Sequence, residues 1–149
     1  MNWMVRFSRN GITYNDFRWA EVGEWTEAPD WNNKPVCGGG LHGQGVYNGK
    51  DGFGYSQSGT RFEFCEIKNA VVVEDNKIKA QKAKILAVNK EAWELLLKTT
   101  QGKFKGSLNL DNYPHKLPAG FTHCGGYLYL DNYPHKLPAG LKKGIKKLK

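Results

Sequence analysis

Hydrophobic and polar positions alternate from the start of the chain. Trp3, Val5 and Phe7 are interleaved with Met4, Arg6 and Ser8, the period-two pattern of a strand with one face in a core. Asn10-Gly11 then supplies two residues that tolerate positive φ, and Ile12 and Tyr14 resume the pattern, which predicts a β-hairpin. Phe17, Trp19 and Glu21 alternate with Arg18, Ala20 and Val22, and the turn formers of residues 27–35 predict a loop. Trp19, Trp25 and Trp31 read as core or rim aromatics. The strongest strand signal is residues 61–73, where Phe62, Phe64 and Glu66 alternate with Glu63, Cys65 and Ile67 before three consecutive valines. Asp75-Asn76 turns the chain, and residues 77–88 alternate again as an antiparallel partner, with a helix as the alternative. Residues 90–98 change to helical spacing, with Trp93, Leu96 and Leu97 on one face among strong helix formers.

Between these elements, residues 36–58 hold three successive glycine-rich turn signals and few aliphatic anchors. They read as a long loop system, either mobile or used for binding. Gly38, Gly40 and Gly43 match the spacing of a dinucleotide fingerprint. No strand-to-helix context surrounds them and no acidic residue follows about 20 positions on, so no cofactor is expected there.

The last third is periodic. Residues 110–120, LDNYPHKLPAG, recur letter for letter at 130–140. Over 106–120 against 126–140 the differences are Ser107/Tyr127 and Asn109/Tyr129. A fixed period of about 20 residues predicts stacked solenoid coils, with a degenerate first coil near Val88, where Val88, Trp93 and Leu97 align with Leu108, Tyr113 and Leu117. Stacking would set like residues, such as His115 and His135, in ladders. In residues 141–149, Leu141, Ile145 and Leu148 are spaced as one helical face among lysines, which predicts a basic amphipathic cap. The expected fold class is therefore α+β and β-rich. A mixed antiparallel sheet domain (1–88) is continued by a helix and a short solenoid with a basic helical cap (89–149), packed as one unit.

Charge sharpens this picture. The net charge is +8, yet residues 1–100 hold 13 Lys/Arg against 12 Asp/Glu while residues 101–149 hold 9 against 2. So lopsided a distribution points to an acidic partner meeting the C-terminal end. No apolar run approaches the roughly 20 residues that cross a bilayer. The N-terminus lacks a secretion signal, and three cysteines without CxxC spacing suggest reduced thiols. The expectation is a cytoplasmic protein. Pooling Cys37, His42, His123 and Cys124 matches no metal template, so no metal site is expected.

Three phrases, PVCGGGLHGQ, GTRFEFCEI and NKIKAQKAKIL, together resemble an uncharacterised domain of bacteriophage and bacterial proteins, over residues 17–88. The sequence LPAGF…GGYLYL…LPAGL is similar to leucine-rich-like repeats common in phage genomes, over residues 108–141. Neither resemblance supplies a catalytic residue. Together they imply a phage or prophage origin, and hence action on host machinery in the host cytoplasm. A vaguer likeness to ADP-ribosyltransferase-type folds would assign Arg6, His42 and Glu63 or Glu66 around a nicotinamide cofactor.

The leading expectation is a non-enzymatic binding protein that occludes an acidic protein surface or a protein–nucleic acid complex, for example a host defence complex. Its binding residues would be Lys103, Lys105, Lys116, Lys136, Lys142, Lys143, Lys146 and Lys147 for steering, and Tyr127 and Tyr129 as anchors. The alternatives are direct nucleic-acid binding by the same lysine face, with tyrosines stacking on bases, and a small enzyme built around His42. An exposed edge strand would also allow a symmetric homodimer.

Overall fold

A computed structural model describes residues 2–13, 16–46, 57–74, 77–141 and 146–148, the last three as backbone. Strands β4 (Arg61–Glu74) and β5 (Lys77–Val88) form the frame, paired antiparallel along their length. Register shifts at Phe64/Cys65 and Val72/Glu74 mark bulges, which bend a strand and increase its twist. The free edge of β4 takes β1 (Trp3–Ser8), in register from Trp3↔Glu66 to Ser8↔Arg61. The free edge of β5 takes β2 (Trp25–Glu27) and β3 (Leu41–Gly45), and β3 also pairs with β1. The pairings β4-β1-β3-β5-β4 close the sheet on itself, with β2 as an extra strand on β5.

Strand alternation divides the core in two. Val5, Phe7, Phe62 and Phe64 point into one cluster, and Met4, Cys65, Ile67, Ile78 and Ile85 into the other, with Trp19. Helix α1 (Asn89–Thr100) covers the first cluster with Ala92, Trp93 and Leu96. The Trp93 indole stacks flat on Phe62, with ring centres 3.6 Å apart. Asn89 opens the helix at φ 51°, and its Oδ1 accepts the Phe62 backbone N–H, tying the helix start to β4. Gln101 ends it in the left-handed region, and the Gly102 N–H caps the Leu97 carbonyl.

Beyond α1 come four short strands, β6 (Lys103–Phe104), β7 (Leu108–Asn109), β8 (His123–Cys124) and β9 (Tyr127–Tyr129). They form two small parallel sheets, β6-β8 and β7-β9, and a final strand β10 (Lys146–Leu148) adds to β9. The expected solenoid with a helical cap is thereby corrected. Among the described residues the main architecture is a five-stranded antiparallel sheet with one helix. The periodic residues form strands of only two or three residues, most of their backbone lying in turns and open segments. Nor do they enclose a core of their own: Leu108, Leu110, Tyr113, Leu117 and Phe121 join the cluster of Phe62 and Trp93. The segment expected to form a cap helix is extended at 146–148, where the edge of β9 offers backbone partners that a nine-residue isolated helix lacks.

Two further expectations change. Asn10 and Gly11 do turn the chain at φ 54° and 88°, but only the isolated bridges Arg9↔Ile12 and Ile12↔Arg18 follow; β1 finds its partners in β3 and β4. The expected second run ends at Tyr14, and the Asp75-Asn76 turn follows β4; both lie outside the described residues. The glycine-rich stretch read as loop contains β3. Its Leu-His-Gly-Gln-Gly sequence has poor strand propensity and is selected by packing. A Cβ on Gly43 would collide with the Met4 side chain and the Val5 carbonyl. Buried Gln44 reaches across to donate from Nε2 to the Ser107 carbonyl, at 2.6 Å.

Candidate functional site

The small parallel sheets present one face to the core and one outward. Phe104, Leu108, Cys124 and Leu128 are buried, while their neighbours Lys103 and Lys105 are exposed and Asn109, His123, Tyr127 and Tyr129 are half-buried. The pairings Lys103↔His123 and Asn109↔Tyr129 set these outward groups side by side. The Tyr127 and Tyr129 rings lie 6.3 Å apart on this face. At Ser107, the counterpart of Tyr127, the hydroxyl turns inward and accepts the Tyr127 backbone N–H at 2.9 Å. The two departures from exact repetition thus place a polar clamp in the first copy and an aromatic pair in the second.

The other expected lysines are dispersed. Lys116 lines a separate cleft of about 520 Å³ beside the start of α1, together with Lys90, Glu91 and Glu94. Lys136 is exposed in the crossover of the second copy. Lys142 and Lys143 lie outside the described residues. Lys146 and Lys147 are described by backbone alone, on β10 opposite Tyr127 and Leu128.

The residues suggested by the transferase likeness fall into two separate environments. Arg6 and Glu63 are both buried and paired, Nε to Oε1 at 2.5 Å. Glu63 also accepts from Ser8 Oγ at 2.7 Å and Arg61 Nε at 2.6 Å. Removing one member of so buried a pair leaves an uncompensated charge and costs about 3–5 kcal/mol, which marks this cluster as structural. Glu66 sits apart, 3.8 Å from Lys84.

His42, by contrast, lines a cleft of about 190 Å³ between β3, the turn at Gly38–Gly40 and residues 13–19. Burial lowers its pKa, and the positive charges of Lys77 and Lys79 lower it further, against opposing effects from Asp30 and a backbone hydrogen bond at Gly40. The imidazole is therefore held toward its neutral form. Trp19 forms another wall, its ring lying 3.5 Å from the Arg6 guanidinium. Three buried polar atoms of residues lining the cleft have no hydrogen-bond partner among the described residues: Trp19 Nε1, His42 Nε2 and Gln57 Oε1. A buried polar group left so costs about 1–3 kcal/mol. The sequence signals for the cleft were the glycines before His42 and the aromatic pair Phe17 and Trp19. Gln57 fell within the glycine-rich stretch 36–58 but had no signal of its own.

The thiols are placed apart. Burial pushes Cys124 up to about 11 and raises Cys65 further, so neither is a ready nucleophile, and exposed Cys37 accepts from Lys77 Nζ at 3.1 Å. Among the described residues no three His, Cys, Asp or Glu side chains converge as metal ligands, and no helix is long and apolar enough to cross a membrane.

Residues 3–98 match a domain of unknown function, DUF7666. That span takes in the whole closed sheet and nearly all of α1, and it stops before the periodic segment. No curated protein and no solved structure matches the chain.

Proposed function

We propose, for a chain that belongs to the DUF7666 family, a non-enzymatic binding protein that docks on an acidic partner through the outward face of its two small parallel sheets. The observation that carries the reading is the Tyr127–Tyr129 pair. The copies differ at those two positions, and there the second copy shows two half-buried aromatic rings 6.3 Å apart, while Lys103 and Lys105 are exposed on and beside β6 of the other small sheet. Tyrosine supplies rigid contact area at low entropic cost, and surrounding lysines speed encounter with an anionic surface. The closed sheet serves in this reading as a rigid mount. The setting we infer from the sequence resemblances is phage-encoded, with the protein acting in the host cytoplasm by occluding a host complex such as a defence assembly.

The test is binding to polyglutamate and to mixed-sequence duplex and single-stranded DNA, at about 50 and about 200 mM salt. The wild-type chain is compared with Tyr127→Ser/Tyr129→Asn, which gives the second copy the residues of the first. The expected result is polyglutamate binding that the double substitution weakens about tenfold. Tighter binding to DNA, falling steeply with salt, would transfer the face to nucleic acid. No binding to any polyanion would remove the reading.

A further inference from the structure

The edge of β4 beyond β1 carries an inference independent of the docking face. β1 reaches along β4 only as far as Ile67, whose N–H donates to the Asn2 carbonyl at 3.0 Å. β4 runs on to Glu74 with β5 on its other side, and among the described residues no strand pairs with 68–74 on the side of β1. The backbone groups offered there follow from side-chain direction. In a strand of L-residues, the chirality at Cα couples the face a side chain takes to the edge its N–H and C=O take. Ile67 points into the core with its N–H toward β1. Asn69, at φ 54°, resets the alternation, so that Ala70 and Val72 pack on that same core. Their N–H and C=O groups therefore turn to the open edge. Val71 and Val73 lie half-buried on the outer face, between exposed Lys68 and Glu74. Three successive valines make the segment a ready template for strand addition.

We propose that a second copy of this chain occupies the edge, the two β4 strands pairing antiparallel about a twofold axis at Val71. In that register Ala70 lies opposite the partner's Val72, and each such pair exchanges two backbone hydrogen bonds. The same register sets Lys68 against the partner's Glu74 at both ends and Val71 against the partner's Val71 in the middle. A shift by two residues loses the pairing of Lys68 with Glu74, and a shift by one brings unmatched backbone groups together. That charge complementarity under a twofold axis favours a second copy over a foreign strand. In the single chain Lys68 Nζ lies over the Trp25 ring at 4.4 Å; its long exposed side chain can turn to the partner's Glu74.

The test is sedimentation equilibrium of the full chain over about a hundredfold range of concentration, with amide exchange read by NMR at both ends of that range. The expected result is a monomer–dimer equilibrium in which the Ala70 and Val72 amides exchange more slowly at high concentration. Lys68→Glu should weaken the dimer about tenfold by setting two glutamates together at each end, and Lys68→Glu/Glu74→Lys should restore it. Val72→Pro removes an N–H from the open edge and none from the β4–β5 ladder, and it should abolish the dimer. If Val72→Pro fails to fold, the charge reversal remains the deciding variant. A strictly monomeric chain would overturn the proposal, as would a dimer that the double reversal does not restore or one that folded Val72→Pro leaves intact. A monomer that takes up a synthetic KNAVVVE peptide would overturn it in favour of a foreign strand.

Discussion

Residues 110–120 and 130–140 have the same sequence and make the same local structure, yet they contribute differently to the molecule. Asn112 and Asn132 both take the left-handed conformation, at φ 63° and 58°. Tyr113 and Tyr133 both donate backbone N–H bonds to the leucine three residues back, and Phe121 and Leu141 bond back to Pro118 and Pro138 in the same way. The environments diverge. Tyr113 is fully buried; its hydroxyl accepts from Trp93 Nε1 at 2.9 Å and donates to Asn89 Oδ1 at 3.2 Å, linking the first copy to the helix, whose Asn89 in turn holds the Phe62 N–H of β4. Tyr133 is half-buried, and its hydroxyl bonds the His115 carbonyl and the Leu117 N–H, linking the second copy to the first. Local conformation here is a property of the eleven residues, whereas their energetic weight is set by what lies beneath them.

Truncating the two tyrosines should break that comparison most strongly. Tyr113→Ala is expected to cost about 3–5 kcal/mol, as for a large buried aromatic, and Tyr133→Ala about 1 kcal/mol, both read from urea unfolding. Equal losses would mean that the second copy is as integral to the core as the first. The non-identical positions come next. Ser107→Tyr should destabilise by roughly 1–3 kcal/mol, because the site is buried and its hydroxyl clamps Tyr127, while Tyr127→Ser should change stability by less than about 0.5 kcal/mol. A smaller effect, shared by both copies, is expected at the turns: Asn112→Ala and Asn132→Ala should each cost about 1 kcal/mol through left-handed strain, and Asn→Gly should be nearly neutral at both.

The tyrosine hydroxyls sharpen the comparison through pH. Burial raises the Tyr113 pKa from 10 to about 12, and it also raises that of Tyr133. A raised folded-state value means the neutral phenol is favoured in the native protein. The corresponding stability is fully present below pH 10 and is lost as the pH climbs through about 12. Tyr113→Phe should remove part of that alkaline loss, and Tyr133→Phe less of it, in unfolding curves measured between about pH 9 and pH 12.

Legibility in the sequence followed how much of the signal was local. The β4–β5 pair and α1 were readable because β-branched alternation and helical spacing act over one element. β3 was not, because its strand form depends on Gly43 fitting against Met4, a contact between residues 39 positions apart. The repeat announced its period and even its turns, but exact repetition says nothing of what each copy packs on, and the first copy was absorbed into the Trp93 core. For the same reason the described residues expected to bind are spread over several elements: Lys103 lies on β6 beside His123 and Tyr129 on β9 beside Asn109, while Lys116 follows its crossover to the helix start. The His42 cleft was half visible, since glycines and aromatics hint at a cavity, whereas the convergence of Trp19 and Gln57 is purely tertiary.

The measurement that tests the central claim most directly is an amide and side-chain NMR footprint of the chain titrated with polyglutamate. Shifts are expected at Lys103, Lys105, His123, Tyr127 and Tyr129, with the Tyr113 and Trp93 resonances unmoved. Shifts centred instead on the lysines of β5, or spread evenly over all lysines, would contradict a docking face built from the second copy.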